Sequence, residues 1–100
     1  MYKVTKKFPK EELFGITSQI RRSAASIGAN IAEGFGRLSY KDKANYHTHA
    51  NGSITEVKNH LLLARDLEYI SQNDFDRLYL AATEAHKVLN GLIKTTRSPF

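Results

Sequence analysis

The chain has 100 residues, no cysteine and a net charge of +5. That length suits one domain with a modest core, for which contacts between copies would add stability. The missing cysteines exclude disulfide staples and thiolate metal sites, and no apolar run approaches the roughly 20 residues needed to span a bilayer.

Residues 1–8 read as the tail of a helix too short to stand alone. Pro9 fits the first turn of a helix, where its missing N–H costs nothing. Glu11 and Glu12 follow and favour the positive end of the helix dipole. A first long helix is therefore predicted over 9–34, with a seam of Leu13, Ile16, Ile20, Ala24, Ile27 and Ile31. Gly34 and Gly36 are expected to end it in a left-handed conformation. Within this helix Ser23, Ala24, Ala25, Ser26, Gly28 and Ala29 are all small. Small side chains let helix axes approach closely. The stretch from Gln19 to Gly34 is accordingly expected to be the central helix of a helical assembly.

Ser39 with Asp42 three residues on resembles a capping box, Asp replacing the usual Glu. The second long helix is predicted over 40–67, with His47, Ala50, Ile54, Val57, Leu61 and Ala64 along its seam. Gly52 is poor in a helix interior, by about 1 kcal/mol against Ala, so a close backbone contact is expected there. Ser71 and Asp74 repeat the capping pattern. The third helix, 72–97, carries Phe75, Leu78, Ala82, Ala85, Leu89 and Leu92 at an unbroken helical spacing, and Ser98-Pro99-Phe100 ends it. Three helices of matched length joined by short turns predict an all-α, up-down antiparallel bundle in one domain, 1–100. No hairpin or strand alternation competes.

The charge excess is local. Residues 1–43 hold nine basic and four acidic groups, whereas 44–100 hold six of each. Lys3, Lys6, Lys7 and Lys10 sit at one end of the first long helix, and Arg37, Lys41 and Lys43 at the other. They predict two basic rims suited to a phosphate backbone, or else a solvated, solubilising face. Tyr2, Phe8, Phe35 and Tyr40 are interleaved and could stack on bases, with core or turn packing the competing role for Phe8 and Phe35. Arg21 and Arg22 point 100° apart on a helix. They are candidates for nucleic-acid contact or for ion pairs with Glu33 or Glu56. Asn30, Glu33, Ser53 and Glu56 are expected to form an interhelical polar network; a catalytic carboxylate is the alternative, but no paired acid or nucleophile accompanies it. Glu56 and His60 share a helix face, yet a bundle metal site needs Glu-x-x-His pairs on two helices, and none occurs. His47 is expected to be partly buried at a helix interface. No Walker loop, nucleophile elbow, zinc-protease motif or dinucleotide fingerprint is present.

Several motifs also carry a family resemblance. They are Phe8-Pro-Lys-Glu-Glu-Leu13, Gln19-Ile-Arg-Arg22, Ser26-Ile-Gly-Ala-Asn-Ile-Ala-Glu-Gly34, Arg37 and Ser39, Ala50-Asn-Gly-Ser-Ile-Thr-Glu56 and Leu89-Asn-Gly-Leu-Ile-Lys94. Over nearly its whole length the chain resembles the four-helix-bundle proteins encoded in intervening sequences of bacterial 23S ribosomal RNA genes. The accessory variability proteins of diversity-generating retroelements are relatives of that family. The resemblance implies a four-helix protomer, a homopentameric barrel-like ring and a basic surface for nucleic acid. It implies no enzymatic activity and no cofactor; in the retroelement relatives the partner is a reverse transcriptase with its RNA. Here only residues 1–8 stand where the family has a full first helix, so helix 1 is expected as a stub beside three long helices. Gly28 replaces a frequent Pro, and His47 and His49 replace apolar residues. The expectation is a cytoplasmic, non-enzymatic, homo-oligomeric RNA-binding protein, or alternatively a protein–protein scaffold that binds no nucleic acid.

Overall fold

The computed structural model describes residues 1–97. The predicted C-terminal stop at Ser98-Pro99-Phe100 lies outside the described residues. Four helices follow in order: α1 (Tyr2–Thr5), α2 (Ile16–Gly36), α3 (Tyr40–Asp66) and α4 (Gln72–Arg97), with a short 3-10 turn at Lys10–Glu12 between the first two. There is no strand among the described residues. The long helices run up, down and up in a rod measuring 48 × 23 × 17 Å.

The first long helix starts later than its sequence suggests. Pro9 is extended, with ψ 142°, and Gly15 takes φ −105° and ψ −119°, a conformation outside the helical region. Residues 10–12 therefore make only a 3-10 turn, and the helix begins at Ile16. Leu13, predicted to lie on the seam, is exposed as a result. At the other end α2 continues through Gly34 to Gly36 and stops where Arg37 turns extended. Neither glycine is left-handed, contrary to expectation.

The N-cap predictions at Ser39 and Ser71 hold. The Ser39 hydroxyl accepts from the Asp42 N–H at 3.1 Å, and Ser71 does the same for Asp74 at 3.1 Å. The end of α3 closes in a Schellman arrangement, with Tyr69 N–H donating to the Ala64 carbonyl and Glu68 N–H to that of Arg65. Its left-handed position holds Glu68, at φ 62°.

α3 lies in the middle of the rod; α2 and α4 flank it and scarcely touch each other. This corrects the assignment of Gln19–Gly34 as the central helix, at least within one protomer. The core has two parts. Near α1, Val4, Phe8, Ile16 and Ile20 meet Val57, Leu61, Ile70 and Phe75. Further along the rod the core narrows to Ala50, Ile54, Ala82 and Leu89. Full burial of a Leu or Ile contributes about 1.5–3 kcal/mol, so the α1 end, richer in large side chains, is the better-anchored half.

Three glycines inside long helices, Gly28, Gly52 and Gly91, are exposed. Among the described residues, and apart from the glycine's own helix backbone and chain neighbours, nothing lies within 4 Å of where a Cβ would stand at any of them. The close contact expected at Gly52 is therefore absent from the protomer. Gly34 differs: a Cβ there would stand 2.7 Å from the His47 ring.

Candidate nucleic-acid interface

The predicted basic residues divide by what holds them. Arg21 is structural. Its Nε donates to Thr5 Oγ1 at 2.8 Å, and its guanidinium stacks over the Tyr2 ring at 4.6 Å, tying α1 to α2. Arg22 donates to Gln19 at 2.7 Å and reaches Glu56 on α3 at 3.5 Å. Arg37 pairs with Glu33 at 3.1 Å, donates to the Tyr46 hydroxyl at 2.7 Å and stacks over that ring. Lys43 donates to the carbonyls of Gly34 and Phe35, at 3.5 and 3.2 Å, and so satisfies the C-terminus of α2. Lys3, Lys6, Lys7, Lys10 and Lys41 are exposed, and their ammonium groups form no hydrogen bond or ion pair among the described residues.

The two rims are not equivalent in three dimensions. At the α1 end, Lys3, Lys6, Lys7 and Lys10 share the rod's tip with Arg65 and Arg77 from the neighbouring α3–α4 turn. That turn and the 3-10 turn also bring Glu11, Glu12, Asp66, Glu68, Asp74 and Asp76, so cations and carboxylates balance there. Lys3 and Lys7 line a cleft with Asp74 and Arg77. At the α2–α3 end, Arg37, Lys41, Lys43 and, from α4, Lys94 face only Glu33 and Asp42. Of the two tips, therefore, this one carries the excess of cations. The same tip exposes Phe35, Tyr40 and Leu38, the last at 99%. Phe35 keeps an edge against the His47 ring, with centroids 5.3 Å apart, but most of its face is open. Phe8, by contrast, is buried against Tyr69.

The polar network between α2 and α3 has a different centre from the one predicted. Ser26 is its hub: its hydroxyl accepts from Ser53 Oγ at 2.9 Å and from Asn30 Nδ2 at 2.9 Å. Glu56 joins one turn away through Arg22. Glu33 is not a member, because it lies outward and pairs with Arg37. Sequence reasoning missed Ser26, although the i, i+4 spacing to Asn30 was readable as a same-face pair. These side chains line an open polar groove with Thr48, His49 and Gly52.

His47 is 1% exposed, and neither ring nitrogen has a partner. Burial, and secondarily the Lys43 ammonium, hold its pKa below the ordinary 6.5, so the neutral imidazole is favoured. His86 is an interhelical tie. Its Nδ1 accepts from Lys58 at 3.1 Å, which leaves Nε2–H to donate to the Asn51 carbonyl at 3.2 Å. Among the described residues no group of three or more His, Asp or Glu converges as a metal site would require, and no helix is long and apolar enough to cross a membrane.

Comparison with known proteins agrees with this architecture. A family model described as 23S rRNA-intervening sequence protein matches residues 1–91. Among solved structures the fold resembles a crystal structure of a protein with unknown function from the S23 ribosomal protein family of Bacteroides thetaiotaomicron VPI-5482. The two are 34% identical over 86% of this chain and 80% of that one, with a TM-score of 0.81. No curated protein matches the chain.

Proposed function

Because the chain belongs to the 23S rRNA-intervening sequence protein family, we propose that it is a non-enzymatic, self-associating helical protein of the cytoplasm that binds RNA at the α2–α3 end of the rod. The observation that carries this reading is the excess of cations toward this end, Arg37, Lys41 and Lys43 with Lys94 of α4 about two turns further along the rod, together with the exposed rings of Phe35 and Tyr40. Cations attract the phosphate backbone whatever the sequence. Exposed aromatic faces add stacking on unpaired bases, at about 1–3 kcal/mol per base. No groove-reading helix or base-specific module accompanies them among the described residues, so recognition would rest on shape and single-stranded character. Self-association, into a five-membered ring as the family resemblance implies, would repeat the cationic tip around the assembly and deepen its field.

Filter binding of single-stranded and duplex RNA through a salt series tests this. Binding should weaken steeply between about 50 and 200 mM salt, with a slope set by the number of phosphates neutralised. A Lys41→Glu/Lys94→Glu variant should lose most of it. If the wild type retains no RNA at the low-salt limit, RNA binding is excluded and the scaffold reading takes its place.

A further inference from the structure

The outward faces of α2 and α4 are unpartnered, and they differ in kind. α2 presents small residues, Ala25, Gly28, Ala29 and Ala32, all exposed. α4 presents two bare apolar side chains, Leu80 at 60% and Val88 at 65% exposed. Crossties fix the heights of these residues along the rod. Ser26 bonds to Ser53, and Asn51 to Asn90. Stepping from these ties puts Val88 level with Ser26, beside Ala25 and Ala29. The same ties bring Gly28, Gly52 and Gly91 to one height.

Charges match at a second level. Arg22 reaches Glu56, and the neighbouring Thr55 lies 3.3 Å from His86. Glu84 therefore stands within a turn of the height of Arg22. Glu84 is exposed and has no ion-pair partner among the described residues, and the Arg22 side chain is 62% exposed.

We propose that α2 of one copy packs along α4 of the next, parallel and at equal height, with Val88 seated among Ala25, Gly28 and Ala29 and Glu84 meeting Arg22. This rests on the self-association stated above and names the surface that performs it. α2 and α4 run in the same direction within a protomer. A rotation about an axis parallel to the rod, with no shift along it, then brings the two faces together in register. Such a contact joins unlike faces and closes into a ring when the rotation divides a full turn. A two-fold axis across the rod would instead run the helices antiparallel, and if placed to keep Glu84 level with Arg22 it would carry Val88 away from Ala25 and Ala29, to the level of Ser18. The Val88 seat and the Glu84–Arg22 pair are satisfied together only in the parallel arrangement, and each face complements the other, so the occupant of each face is a second copy of this chain. The backbone approach would also use the exposed glycines of α2 and α4, which nothing inside the protomer uses.

Sedimentation velocity over a concentration series, with circular dichroism to confirm helicity, tests the assignment. Glu84→Arg and Arg22→Glu should each weaken assembly on the order of tenfold through like-charge contact, and the double exchange should restore it. Val88→Lys, which touches nothing in the protomer's core, should dissociate the assembly while leaving the monomer helical. If the wild type assembles and Val88→Lys and Glu84→Arg leave it unchanged, this surface is wrong although self-association stands. A wild type that remains monomeric at every concentration removes both.

Discussion

The two tips of the rod are built from similar residues and behave differently because of their neighbours. At the α1 end, four lysines stand among carboxylates from two turns, over a core containing Phe8, Ile16, Ile20 and Leu61. At the α2–α3 end, fewer cations stand almost alone, over packing made of Gly34, Ala44 and a histidine with no partner for either nitrogen. Lysine number in sequence therefore misleads about potential in space. The tip with more lysines is electrically balanced and well anchored; the tip with fewer is cationic and lightly packed. Anchoring and the proposed RNA contact thus lie at opposite ends of one object.

Substitutions that separate these roles break or sharpen the contrast. Leu61→Ala, in the anchored half, should have the largest effect, about 2–5 kcal/mol of stability lost in chemical denaturation. A loss under about 1 kcal/mol would mean the two halves are anchored alike. Gly34→Ala comes next. A Cβ 2.7 Å from the His47 ring must displace a buried side chain, at about 1–3 kcal/mol. Gly28→Ala, where nothing stands near, should instead leave the protomer equal or more stable by up to about 1 kcal/mol. Equal effects of the two in thermal melts would refute the packing described around Gly34.

RNA affinity gives the third comparison. Lys41→Glu should weaken binding about five- to tenfold at low salt, whereas Lys6→Glu/Lys7→Glu, flanked by carboxylates, should change it by less than about twofold. The reverse order would move the interface to the α1 end.

The fourth concerns pH. The His47 pKa is lowered on folding, so between the folded value and 6.5 the unfolded chain binds more protons than the native one. Stability is then at its plateau above the unfolded value and falls as pH drops below it. His47→Leu should remove that part of the acid sensitivity, seen as a flatter dependence of the denaturation midpoint as pH falls below about 6.5. An unchanged slope would show that other groups carry it. The smallest effect is expected at the anchored tip, where Glu68→Gly relieves a left-handed residue and should stabilise by about 1 kcal/mol or less.

The sequence made α3 and α4 legible almost residue by residue, because Ser39 and Ser71 are strong start signals and the apolar spacing between them is unbroken. It made the family legible as well, through motifs spread along the chain. What it hid were tertiary outcomes. Gly15 inside an apparently continuous helical pattern gave no sign that it would break the run. The small residues of α2 announced close packing but not on which side; Ser23 packs inward, while Ala25, Gly28 and Ala29 face out. Glu33 was grouped with Asn30 by adjacency, although the helix turns it away from Ser53. Besides Glu11 and Glu12, the acids that neutralise the first lysine cluster, Asp66, Glu68, Asp74 and Asp76, come some 60 residues later, and no local window joins them.

The middle position of α3 has a temporal consequence. Almost every interhelical contact joins helices that are neighbours in the chain, so little loop entropy stands between the unfolded ensemble and its first native pairing. The α2–α3 hairpin can close while α4 is still being synthesised, and α4 then zips onto a surface already laid down. The protomer should accordingly fold fast and from its N-terminal side, and under the proposed self-association the meeting of separate copies would be the slow, concentration-dependent step.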